Sequence, residues 1–311
     1  MSHFIETVRL CLSRAVPATI KSLTWLLQLM VPISFAVALL QYYGIIAWIA
    51  SYINPFFCHF NLPGESAVAF ISGAAAGTYA GIAVMMSIHL TLREATIMGI
   101  MIAICHALPM ECAVNHKTGS SFWKMGVIRI CAAFLCAAFL DWLLPEMPEQ
   151  YIYMGAQSGG TLMDVLQTWF VSQSKMAVVM ALIIYSLMVV QRFIEIKGLL
   201  KPLSRVFAPL MSLFGLPRNS SYMWLVGNVL GISYGSAVMV ELKERNLITS
   251  EDAKAVNYHL IMNHSMLEDT IVFAATGISG FLVVFTRMLF AVLLVWGKRC
   301  AEGVISRIAR S

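Results

Sequence analysis

Charge is scarce in this chain: only 12 % of its 311 residues are Asp, Glu, Lys or Arg, while 59 % are hydrophobic. A soluble domain of ordinary composition carries about twice that charge, so a conventional globular fold is excluded. The net charge of +5 is not gathered into one basic stripe, which argues against a nucleic-acid partner. Cysteine is present seven times, yet without a CxxC pair or an even, regularly spaced set, and no disulfide framework follows. HExxH and Gly-rich phosphate loops are missing, and nothing marks a cofactor site. An enzyme is therefore not expected, although an acid and a histidine inside a membrane leave lipid-linked chemistry open as an alternative. The first apolar run has no small-residue cleavage site at its end and does not read as a signal peptide.

Long apolar runs take the place of charge. Stretches at roughly 23–43, 95–114, 123–144, 176–196, 255–277 and 281–297 are long enough to cross a bilayer. The chain also repeats itself. Gly44, Pro55, Leu62, Pro63, Gly73, Gly77 and Gly81 recur 154 positions later as Gly198, Pro209, Leu216, Pro217, Gly227, Gly231 and Gly235. Beyond a four-residue insertion the offset is 158, and His106 meets His264 while Arg129 meets Arg287. Glycine and proline fix backbone geometry, so their recurrence in register implies two copies of one structural unit. Duplicated halves of about 125 residues, rich in apolar runs, are the signature of a transporter built from internal repeats.

Two further apolar stretches, 67–89 and 221–242, could be full spans or re-entrant hairpins, and charge placement separates the two. Arg9, Arg14 and Lys21 put the N-terminus on the cytoplasmic side, and residues 44–66 hold no Lys or Arg. If 67–89 crossed fully, Lys117 and Lys124 would face outward and the acidic, Lys/Arg-free stretch 145–173 would lie inside. A hairpin restores both to their expected sides. It also keeps Lys243, Arg245 and Lys254 with the basic loop of Lys197, Lys201, Arg205 and Arg218. The organisation expected is all-α and membrane-integral. A cytoplasmic segment 1–22 leads into repeat 1 at 23–145, with an interfacial helix at 44–60 and a hairpin at 67–92. An external linker at 146–173 is followed by repeat 2 at 174–300, with its interfacial helix at 198–214 and hairpin at 221–245, and a cytoplasmic tail 301–311 closes the chain. Three spans and a hairpin per copy is an odd span count, so the second copy enters inverted. Eight plain spans in parallel repeats is the alternative.

Polar residues interrupt one span in each copy: Cys105-His106-Ala107-Leu108-Pro109-Met110-Glu111-Cys112 and Asn263-His264-Ser265-Met266-Leu267-Glu268-Asp269. A charged group near the bilayer centre costs about 2.5–3.5 kcal/mol on insertion scales, so each needs a reason to be there. Pro109 is expected to open the first of these spans. His264 and Glu268 stand four apart, which on an unbroken helix offers an ion pair or a shared proton. His106, Glu111, His264, Glu268 and Asp269 are thus the candidates for carrying a coupling proton. Arg129 and Arg287 lie within the following spans and are both candidates for binding the cargo. Arg129 has a route to the cytoplasmic interface by snorkelling, whereas Arg287 calls for Glu268, Asp269 or an anionic cargo as partner. The hairpin tips, with Gly77, Thr78, Tyr79, Asn228, Gly231, Ser233 and Tyr234, and Asn263 beside them, are candidates for holding cargo through exposed backbone amides. The donor types would suit a transition metal, but no spacing fixes a tetrahedron and two arginines would repel a cation, so no resident metal is expected.

The order Leu-Pro, Gly-rich segment, polar broken span, then Thr118-Gly119-Ser120-Ser121-Phe122-Trp123-Lys124 resembles the Gate, or nucleoside-recognition, family. That family includes spore maturation proteins A and B and the membrane part of ferrous iron transporter B. The resemblance runs over roughly 20–145 and 174–300. It implies an inverted-repeat fold akin to the transport core of concentrative nucleoside carriers, a homodimer, and a cytoplasmic-membrane location with lipid around it. Departures bear on cargo: the iron transporter's GTPase is absent, and its Pro-Cys gate is replaced by Pro109-Met110. A proton-coupled carrier of a small polar or anionic solute is the function expected, with a divalent-metal permease and a non-transporting assembly factor as alternatives.

The topology is open to direct test by introduced cysteines. Those at positions 93 and 150 should react with an impermeant thiol reagent from outside, and those at 119 and 246 only after permeabilisation. External labelling at 119 would replace the first hairpin with a full span.

Overall fold

The computed structural model describes residues 2–145, 151–153 and 161–308; the expectations for the linker 146–173 and the tail 301–311 fall partly outside them. The described residues form fourteen α-helices: α1 (Ser2–Tyr42), α2 (Ile45–Phe57), α3 (Ser66–Ala76), α4 (Thr78–Met85), α5 (Leu92–Cys105), α6 (Leu108–Lys117), α7 (Phe122–Leu143), α8 (Leu162–Ile196), α9 (Leu200–Leu213), α10 (Ser221–Val229), α11 (Ile232–Glu244), α12 (Ser250–Asn263), α13 (Met266–Ala275) and α14 (Gly280–Ile308). The fold is all-α as expected, with one short antiparallel pairing, β1 (Leu90–Thr91) with β2 (Tyr151–Tyr153), among the described residues. The extended backbone there leads into the cap of α5.

Among the described residues four helical stretches are long and apolar enough to cross a membrane: Leu92–Lys117, Phe122–Leu143, Leu162–Ile196 and Gly280–Gly303. They contain four of the six expected spans. The expected span 23–43 lies in α1, which includes the apolar described stretch Val31–Tyr42. The expected span 255–277 is divided between α12 and α13, with acidic residues in the first turn of α13. Packing makes two compact units that cut across the sequence repeats. The first draws on residues 1–108, 133–193 and 271–283, the second on 109–132, 194–270 and 284–311.

The sequence repeat is also a repeat of local backbone geometry. Left-handed φ values recur at Gly44 and Gly198 (73° and 62°), at Asn61 and Gly215 (50° and 72°), and at Gly119 and Gly277 (100° and 93°). Helices α5 and α12 open on matching capping boxes, Thr91 with Glu94 and Thr249 with Asp252. Each box satisfies first-turn amides that would otherwise lack partners.

Both Gly-rich segments are helix–turn–helix hairpins, α3–α4 turning at Gly77 and α10–α11 at Leu230–Gly231. Gly77 (φ 109°, ψ 173°) and Gly231 (φ 91°, ψ 169°) occupy a region that side chains other than hydrogen avoid. The arms then press together at glycine. A Cβ on Gly81 would lie 3.0 Å from the Gly73 Cα, and one on Gly235 2.9 Å from the Gly227 Cα. Small residues thus let backbone meet backbone. Gly235→Ala should cost about 1–3 kcal/mol, because the obstacle is main chain and cannot rotate away. Gly297→Ala in α14, where a Cβ meets nothing within 4 Å, should be neutral or slightly stabilising. Unfolding midpoints of the two variants in detergent check this; equal midpoints would mean the hairpin arms are not in contact.

Candidate functional site

Each polar span breaks immediately after its histidine. Helix α5 ends with His106 in extended conformation, and Ala107 follows at φ 45°; α12 ends with His264 extended, and Ser265 follows at φ 51°. Pro109 was expected to cause the first break, but it sits two residues later, in the first turn of α6, where a missing amide costs nothing. The second copy breaks at the matching place without a proline. What the two breaks share is a tie to the hairpin in the same unit: Ala107 N donates to Gly73 O (3.0 Å), and Ser265 N donates to Gly227 O (3.1 Å). The Gly73 carbonyl also accepts from Gly77 N at 2.8 Å. The amides freed by the break are therefore answered by hairpin carbonyls.

The second unit holds two buried ion pairs. Arg129 pairs with Glu111, and Arg287 Nη1 donates to Asp269 Oδ2 at 2.8 Å. Both arginines are completely buried, and the acids are about 5 % exposed. The offset of 158 that relates the arginines also relates Glu111 to Asp269, so the ion pair itself is duplicated. This decides between the two acids offered for Arg287 in favour of Asp269; Glu268 is half-buried beside it. It also overturns the snorkelling route for Arg129. That side chain ends on a buried carboxylate and does not reach the surface, because a guanidinium with an acid one helix away is held more strongly than one that must cross apolar surface to water. Arg287 makes two further bonds, from Nε to Met262 O (2.8 Å) and from Nη2 to His264 O (2.7 Å), capturing carbonyls that the break leaves without helical partners.

His264 joins the two pairs. Its carbonyl receives Arg287, its Nδ1 lies 2.8 Å from Leu260 O, and its Nε2 lies 2.9 Å from Glu111 Oε1. Because the helix ends at residue 263, the expected pairing with Glu268 four residues on is lost and the ring turns to Glu111. Two ring nitrogens facing two oxygens impose a proton count. Nδ1 must carry hydrogen to donate to a carbonyl, so a second proton is needed between Nε2 and Glu111, on one or the other. His106 belongs to the first unit, buried, with Nδ1 at 3.2 and 3.1 Å from the carbonyls of Ile102 and Ala103.

The remaining candidates divide. Asn263 is buried, its Oδ1 3.2 Å from His259 Nδ1 and its Nδ2 donating to Met288 Sδ. Asn228 is buried at the hairpin, donating to Trp224 O, and its Oδ1 has no partner among the described residues. Thr78 is buried and Tyr79 half-buried at the tip after Gly77, whereas Tyr234 is 58 % exposed after Gly231. The side chain of Ser233 lies outside the described residues. Sequence reasoning missed Asn115, fully buried one helical turn beyond Glu111 with neither amide atom partnered among the described residues. It also missed Asn257, whose Nδ2 donates to Thr118 Oγ1 (2.7 Å) and Ser120 Oγ (2.9 Å). The signal for Asn115 was its spacing of four from Glu111 on one helix face. His259 accepts from Trp224 Nε1 at 3.1 Å, which leaves its Nε2 as the protonated nitrogen, buried and without an acceptor among the described residues.

Comparison with known proteins agrees on the class. Residues 23–114 match the Gate family, described as nucleoside recognition. The chain is 29 % identical over 276 residues to YvoD, an uncharacterised membrane protein of Bacillus subtilis, covering 87 % of this chain and 88 % of that one. No solved structure matches it.

Removing one partner from a buried ion pair leaves an uncompensated charge, at a cost of about 3–5 kcal/mol. Arg129→Ala should therefore be as damaging as Arg287→Ala. Replacing Arg287 and Asp269 together by Met and Leu should recover most of the loss. A double-mutant cycle on unfolding midpoints reads the coupling directly. An unperturbed midpoint in Arg129→Ala would show that its pair contributes nothing.

Proposed function

We propose that this chain, which carries a Gate domain and is a membrane protein, is a secondary transporter of the cytoplasmic membrane that moves a small anionic or polar solute with protons. One observation carries the reading: the His264–Glu111 contact requires a proton, and that proton sits within a buried, charge-balanced group. Without it, Arg129 and Arg287 cancel Glu111 and Asp269, but the Nε2 and Oε1 lone pairs face each other at 2.9 Å. With it, the contact is a hydrogen bond and the five linked side chains carry one net positive charge. A buried net charge is costly unless paired, so the protonated site favours an anion and the deprotonated site releases it. That is the linkage a proton–anion symporter needs. Asn115 and Asn228, with buried amide atoms lacking partners among the described residues, would supply polar groups for such a cargo.

The duplicated caps, breaks and ion pairs support two copies of one unit. Together with the charge distribution they support opposite entry into the bilayer, hairpins that re-enter and do not cross, alternating access, and both termini in the cytoplasm. The carrier works as a homodimer.

Glu111→Gln is a poor test on its own, since it strands the buried Arg129 charge. His264→Gln keeps both ion pairs and removes only the titrating ring. In proteoliposomes given a proton gradient, the wild type should take up at least one member of a panel of organic anions, phosphorylated metabolites and nucleosides, with matching proton movement. His264→Gln should keep its melting temperature within a few degrees and lose proton-coupled uptake by tenfold or more. Coupled uptake at the wild-type rate in this variant would sink the mechanism. Flux of manganese or ferrous ions alone would move the reading to a metal permease, and no flux of any kind to an assembly factor.

A further inference from the structure

The first unit contains a cavity of about 80 Å³ that the two buried arginine ion pairs, both in the second unit, do not use. One face of α8 forms much of its wall: Thr168, Trp169, Ser172 and Gln173 recur at the three- and four-residue spacing that places side chains on one helical stripe. Gln41 of α1 and Ser87, just beyond α4, contribute the other polar groups. The packing that fixes this wall is specific. Trp169 donates from Nε1 to Ser34 Oγ at 3.2 Å and meets the Phe35 ring edge-on at a centroid distance of 5.0 Å. Its donor is thereby spent inside the wall, and the indole offers only ring surface.

Two observations point to an occupant. Gln41 Oε1 and Gln173 Oε1 are both buried, and neither has a hydrogen-bond partner among the described residues. Gln173 as a whole is 8 % exposed. Both orphans line the same cavity. A buried amide carbonyl left without a donor is expensive, and two converging on one space call for a molecule that donates twice. The chemistry of that molecule is narrowed by the rest of the lining. Among the described residues none of the wall is ionisable, so a charged ligand would be desolvated without compensation. Ser87 donates its own hydroxyl hydrogen to Ala83 O at 2.9 Å, leaving its lone pairs to accept. At about 10–15 Å³ for each water-sized occupant, the space takes roughly five to eight heavy atoms.

We propose that this cavity is a binding site for a small uncharged polyol group, the chemistry shared by free glycerol and by the glycerol headgroup of phosphatidylglycerol. Adjacent hydroxyls donate to the two glutamine carbonyls and a third donates to the Ser87 oxygen, accepting in turn from Thr168 and Ser172, while the carbon backbone lies on the indole. The site stands independently of the proton-coupling reading, so either can fail alone.

Trp169 supplies the optical reporter, and subtraction of the Trp169→Phe signal isolates it from the other six tryptophans. Full-length protein in detergent is titrated with glycerol and, separately, with glycerol 3-phosphate. It is also compared in nanodiscs of phosphatidylcholine with and without phosphatidylglycerol. A saturable change with glycerol, absent with glycerol 3-phosphate, assigns the site to a free solute. A change confined to phosphatidylglycerol nanodiscs assigns it to the headgroup. Either response should weaken at least tenfold when Gln41→Leu and Gln173→Leu are combined. That variant is expected to melt no lower than wild type, since it removes two unpaired carbonyls at similar volume. If it does not fold, the isosteric Thr168→Val variant replaces it, with a several-fold loss expected. No saturable response in any arm, an equal response to glycerol 3-phosphate, or a response unchanged in the variants overturns the proposal and leaves the cavity to water.

Discussion

An arginine cannot lie in an apolar interior without an anion, and that requirement organises the second unit. Arg129 and Arg287 are fully buried, so Glu111 and Asp269 must come to them. The acids in turn must be delivered by helices that stop and restart nearby, since an unbroken span would carry them on to another level. The interruption after each histidine meets that need. It frees carbonyls at Met262 and His264, which Arg287 collects. Burial, break and pairing are one arrangement seen from three sides.

A duplicated ion pair is informative in a way that a single one is not. Structural pairs drift, because a well-packed apolar replacement is often as stable. Here both copies keep an arginine eighteen residues after its acid, and both place it without exposure. Glu111 faces His264 as well as Arg129.

Much of this was legible in the residues. Glycine and proline in register announced the repeat, and the structure returns it as matching left-handed φ values, caps and hairpins. The polar residues of the broken spans were conspicuous because charge in an apolar run is costly. Other features were not legible, for physical reasons. Pro109 drew the break towards itself, although the position is set by a backbone tie from Ala107 to Gly73 that no side chain advertises. Helical spacing matched His264 to Glu268, yet spacing has meaning only within a continuous helix, and the helix ends one residue earlier. The burial of Arg129 and the cavity at Gln41 and Gln173 depend on which helices meet, and a single sequence carries little of that information.

The ties between hairpin and broken span are main-chain bonds, Ala107 N to Gly73 O and Ser265 N to Gly227 O. Side-chain substitution can rearrange everything around such a bond without deleting it; alanine in one copy and serine in the other already serve equally. Only proline at the donor position removes the hydrogen. Each hairpin and the span it touches are thus coupled by a mechanical joint nearly invisible to point mutation, which leaves the polar lining above it open to change without loss of the joint.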